Sequence, residues 1–189
     1  GETYTLVIAL SDGDASVECT MAVAVIAGSD YQISIGCVGE PAGPVFQGQH
    51  VEVPVMLTAA VGDVGGYDLL IAYDNSAISF QTAEFGAEYE SWEYLTYRHG
   101  AAGNCSNSCP TGLVRVVGIA ETNNGADHPD YFGTGTLFVL DFLVTNDRTF
   151  ECSNIPLRFF WTDCGDNTLS NKEGTELFIS DAVYDGYDP

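Results

Sequence analysis

Basic residues are nearly missing from this sequence. Five Lys and Arg stand against 27 Asp and Glu, a formal net charge of −22. So acidic a chain has no basic footprint for phosphate, which excludes nucleic acid as a partner. An anionic membrane surface is excluded for the same reason. Long apolar runs are missing too: the longest, "MAVAVIAG", is too short to cross a bilayer. The three histidines, His50, His99 and His128, never fall in a paired metal-binding spacing. No nucleophile elbow and no phosphate-cradling glycine loop occurs. Helical periodicity is almost absent, with "AEYESWEYL" the one stretch that reads as a short helix. A protein that is not an enzyme is therefore expected.

What is there is strand chemistry. Apolar residues are 46% of the 189, enough to bury a core despite the charge. "YTLVIAL" and "SVECTMAVAVI" are apolar, strand-like runs joined by the turn "SDGD". "HVEVPVMLTA" alternates, with Val51, Val53, Val55 and Leu57 on one face. "YQISIGCV", "GGYDLLIAYD", "AISFQTAEF", "GLVRVVGIAE", "GTGTLFVLDFLVTN", "NIPLRFFWTD" and "TELFISDAVYD" continue the pattern. Short strands bounded by Gly, Pro and Asx turns predict an all-β jelly-roll or immunoglobulin-like β-sandwich of about nine strands, with an N-terminal β-hairpin extension. Composition shifts after Gly28, so residues 1–28 are expected to form the hairpin and 29–189 the sandwich. Segments 84–110 and 122–135 are predicted as long loops.

The six cysteines are Cys19, Cys37, Cys105, Cys109, Cys152 and Cys164. An even set in an acidic β-rich chain implies disulfides and an oxidising, extracellular setting. Connectivity is open in principle; local spacing favours Cys105–Cys109 and Cys152–Cys164, which leaves Cys19–Cys37. Zinc is the rival reading, but "CSNSC" lacks a matching second pair with His. Asn104 begins a glycosylation sequon, "NCS", in a predicted surface loop. The chain starts without Met and shows no signal peptide, as expected of a mature or excised piece of a larger secreted protein.

From Gln47 onward the chain resembles the cohesin-like family, β-sandwiches of cohesin and carbohydrate-binding-module type. The likeness lies in "QGQHVEVPVMLT", "GGYDLLIAYDNSAISF", "GLVRVVGIA" and "GTGTLFVLDFLV". It implies a jelly roll on a secreted or cell-surface bacterial protein. The best-known members of that family bind the calcium-dependent dockerin module in cellulase scaffolds. The expected disulfides, the long aromatic loop and the tail "FFWTDCGDNTLSNKEGTELFISDAVYD" depart from scaffold cohesins. Separately, "YTLVIALSDGD" is similar to the end of an immunoglobulin-like or cadherin-like repeat. The hairpin is thus expected to fold back onto its own sandwich, to be a remnant of an upstream immunoglobulin-like domain, or to serve as a donor strand.

Candidate sites follow from residue chemistry. Asp163, Asp166 and Asn167 in "TDCGDN" supply hard oxygen ligands of the kind calcium takes. Trp92, Tyr94 and Tyr97, in a predicted loop, are candidate carbohydrate contacts. Glu84, Glu88, Glu90 and Glu93 are read as a solvated acidic loop, since glycoside hydrolysis needs two carboxylates at a set separation. The hairpin is apolar and would be unstable alone in water. Tyr4, Leu6, Ile8 and Leu10 are therefore expected to pair with neighbouring copies by strand addition. Head-to-tail donation makes filaments. The expected function is a structural module of an extracellular fibre or scaffold, glycosylated and built by strand complementation. The alternative is a cohesin-like module that recognises a dockerin-like protein or a carbohydrate.

Overall fold

The computed structural model describes residues 5–11, 16–25, 31–36, 45–100, 110–123, 134–162, 165–171, 174 and 177–179. For the first two strands and the last, only the backbone is described. One sheet has the order β1 (Thr5–Ser11), β2 (Ser16–Val25), β3 (Tyr31–Ile35), β4 (His50–Ala60), β9 (Gly135–Val144), β6 (Ile78–Phe85). The second has the order β12 (Leu177–Ile179), β11 (Thr168–Ser170), β5 (Gly66–Tyr73), β8 (Gly112–Ile119), β7 (Tyr94–Gly100). A two-residue strand, β10 (Arg158–Phe159), pairs with β5 beyond the end of β11. The fold is the expected all-β sandwich.

Alternation explains which residues face inward. On β4 the side chains of Val53, Val55 and Leu57 are buried, while Glu52 and Thr58 are exposed. On β8 every second residue is buried, with Val114 and Val116 in the core. Phe138, Leu140 and Phe142 on β9 meet them from the other sheet. Burying each such side chain contributes about 1.5–3 kcal/mol. Gly118 on β8 makes room for a ring: a Cβ there would lie 2.3 Å from Tyr67 Cζ. The Tyr67 ring stacks in turn on Phe138, with centroids 5.4 Å apart.

Strand β7 lies inside the segment read as a loop, and the expected helix is a single 3-10 turn at Ala87–Tyr89. Strand β7 closes the sandwich against β6: Tyr97 meets the Phe80 ring at 5.2 Å, and its hydroxyl lies 3.4 Å from Thr82 Oγ1.

The hairpin joins the first sheet of its own chain. Residues Ser16–Ala22 of β2 pair with β1, and only Val23, Ala24 and Val25 pair with β3. No residue of β2 pairs on both sides, so the β1–β2 ribbon runs on beyond the last residue of β3.

Candidate functional site

The second sheet presents its outer face differently at its two ends. Since Val114 and Val116 point inward, Leu113, Arg115, Val117 and Ile119 point outward. The register sets Tyr94 beside Ile119, Thr96 beside Val117, and Arg98 beside Arg115. On β5, Asp68 lies beside Val117, Leu70 beside Arg115, and Ala72 beside Leu113. At one end Phe160, 8% exposed, covers Leu70 and Ala72, with Leu113 packed alongside. At the other end Tyr94, 45% exposed, lines an apolar strip with the half-buried Val117 and Ile119. Arg98 and Arg115 border it, two of the five cations in the chain. Tyrosine and arginine around an apolar centre are the composition of protein-binding surfaces.

The border between the two ends is held by polar side chains. Strand pairing along β5 breaks after Phe160, whose N–H donates to Leu70 O at 2.9 Å. It resumes at β11. Asn167 fills the break: its Oδ1 accepts from Leu70 N–H and its Nδ2 donates to Phe160 O, both at 2.8 Å. Asp166, 1% exposed, takes the Arg115 Nη2 donor on Oδ1. Its Oδ2 accepts from Thr162 N–H at 2.7 Å and Thr162 Oγ1 at 2.6 Å. Arg115 Nη1 also donates to both Asp68 oxygens at 3.0 Å. Burial alone would lower the Arg115 pKa; the charges of Asp68 and Asp166 outweigh it and hold it above the ordinary value. Beyond the covered end, Asp74 takes Ser76 Oγ, Ser76 N–H and Thr111 Oγ1, and these bonds hold its carboxyl below the usual range.

Several expected site residues take other roles. The oxygens of Asp166 accept from Arg115 and Thr162, and Asn167 Oδ1 accepts from Leu70 N–H. Asp163 lies outside the described residues, and no group of three or more metal-ligating side chains occurs among the described ones. Trp92, 5% exposed, cannot offer its face to a sugar: it packs on Tyr89 at 4.8 Å and Tyr67 at 5.7 Å. Tyr97 is turned into the β6–β7 seam, and only Tyr94 of the three lies on the open face. The loop glutamates are dispersed: Glu88 accepts from Thr136 N–H, Glu93 accepts from Thr122 N–H, and Glu84 and Glu90 are exposed. Cys152 is an exposed free thiol, so the expected bridge to Cys164 is not seen. Cys37, Cys105, Cys109, Cys164, Asn104 and Tyr4 lie outside the described residues. On the backbone ladder, Leu6, Ile8 and Leu10 stand opposite Met21, Cys19 and Val17. Arg115 was not anticipated, although a lone cation in the valine run "GLVRVVGIA" was the available signal.

No protein-family model matches the sequence, and a search of curated proteins finds no match. Solved structures do match. One is the sixth cohesin of scaffoldin B from Acetivibrio cellulolyticus, solved in complex with a dockerin. It is 16% identical over 80% of this chain and 92% of its own, with a TM-score of 0.54. Another is the type II cohesin A11 from Bacteroides cellulosolvens, 12% identical over 82% of this chain and 88% of its own, with a TM-score of 0.50. At these identities the likeness is one of fold. The chain has a cohesin-like β-sandwich.

Proposed function

We propose that the chain is a non-catalytic protein-binding module of an extracellular bacterial assembly, and that it grips its partner with the outer face of β5, β8 and β7. The observation behind this reading is the open Tyr94–Val117–Ile119 strip, bordered by Arg98 and Arg115, in a chain of charge −22. A fold shared with a module solved in complex with a dockerin makes a dockerin-like protein the first partner to test. Calcium then belongs to the partner, which fits the occupied oxygens of Asp166 and Asn167. Titrating the protein with calcium-loaded dockerins tests this. Tyr94→Ala should weaken binding by about tenfold or more; unchanged affinity refutes the face.

The hairpin favours a second, compatible reading. Seven residue pairs hold β1 to β2, and three hold β2 to β3. Residues 5–11 carry no charge and form the end strand of their sheet, and an apolar edge strand is a template for strand addition. In this reading the ribbon pairs with a neighbouring copy and builds a fibre or scaffold, with Asn104 as a glycan site. Removing residues 1–28 should abolish assembly and leave a folded sandwich. Assembly that survives the deletion rules the reading out, and points to the hairpin as part of an upstream domain.

A further inference from the structure

The polar groups at the border of the open face do more than close the strand. Asn167 by itself satisfies both backbone groups left by the break, Leu70 N–H and Phe160 C=O. Phe160 supplies the apolar cover. Neither task needs Arg115 or Asp166. An ion pair with one buried partner is also a weak route to stability, because desolvating the charges offsets much of their attraction. What the pair does reach is the chain at Thr162. One carboxylate joins the two: Asp166 Oδ1 meets Arg115 and Oδ2 meets Thr162 N–H and Oγ1. Thr162 therefore lies within the span of a carboxylate from Arg115, which itself stands beside Arg98 on the open face.

We propose that Arg115 is a positioning residue for recognition: acting through Asp166, it fixes residues 160–162 as the border of the binding face. This rests on the protein-binding reading above. The planar guanidinium suits the role, since one fork holds Asp68 on the sheet and Asp166 on the border segment together. Lysine offers a single point of charge and cannot span both. With the fork in place the border is preorganised, and a partner does not have to order it on binding.

The test uses the full chain with three variants: Arg115→Lys, the double variant Arg115→Met with Asp166→Asn, and Tyr94→Ala. The double variant leaves no unpaired buried carboxylate, so it should fold. Two quantities are read, amide hydrogen exchange at Thr162 and affinity for calcium-loaded dockerins. Arg115→Lys and the double variant should speed Thr162 exchange by about tenfold and weaken dockerin binding by about tenfold, with core amides at Val114 and Val116 unchanged. Tyr94→Ala should weaken binding and leave Thr162 exchange alone. Unchanged Thr162 exchange overturns the proposal, and so does faster exchange with full affinity. If the wild-type protein holds no dockerin, the dockerin reading fails separately. Thr162 exchange then decides alone whether Arg115 fixes the border: faster exchange upholds it and unchanged exchange overturns it.

Discussion

The two ends of the outer face of the second sheet are built from similar residues and used differently. At one end, apolar side chains are covered by a segment of the same chain: Phe160 lies over Leu70, Ala72 and Leu113. At the other, no segment is seen to cover the strip: Tyr94 is exposed, with Val117 and Ile119 half-buried beside it. Both ends sit on the same strands, β5, β8 and β7, in continuous register. Covered apolar surface adds to folding stability. Open apolar surface adds nothing until a partner covers it. The Arg115–Asp166–Asn167 group stands on the line between them.

Mutations can sharpen that contrast. Phe160→Ala should cost the most, about 2–4 kcal/mol by denaturant unfolding, since it empties the covered end. Asn167→Ala should cost about 2 kcal/mol, because it strands Leu70 N–H and places Ala at a φ of +59°. Tyr94→Ala, at the open end, should stay within about 0.5 kcal/mol of wild type. An effect on stability as large as that of Phe160→Ala would erase the distinction between the ends. The smallest effect concerns pH. The Asp74 carboxyl is lowered by bonds from Ser76 and Thr111, so its stabilisation is present above the unfolded pKa of about 3.9 and is lost as pH falls through the folded value. Ser76→Ala should flatten that acid limb, as followed by thermal melts between pH 2 and 5.

The fold was legible where burial is one-sided. Strands β4, β8 and β9 alternate because one face meets the core, and that period is written in the order of residues. Strand β7, "YLTYRHG", was not, because an edge strand with mostly exposed side chains carries no such period. The aromatic run "LRFFW" misled in another way. It reads as one strand and alternates as one, with Phe159 toward the core and Phe160 over the outer face, but its ladder to β5 is only Arg158 and Phe159. Asp166 and Asn167 read as cation ligands because a turn rich in carboxylate and amide oxygens serves a metal or a backbone equally well. What the sequence does not show is that Arg115, 51 residues away, reaches Asp166. The open face itself was legible only in part: Tyr94 was singled out, but its neighbours Val117 and Ile119 join it only through the β7–β8 register.

The most direct measurement is the hydrogen-exchange footprint of a bound calcium-loaded dockerin on the full chain. Binding through the open face predicts slowed exchange within residues 94–98 and 115–119, with β1, β2, β4 and β9 unchanged. Protection confined to the β1–β2 ribbon or to β4 and β9, with β7 and β8 untouched, would contradict it.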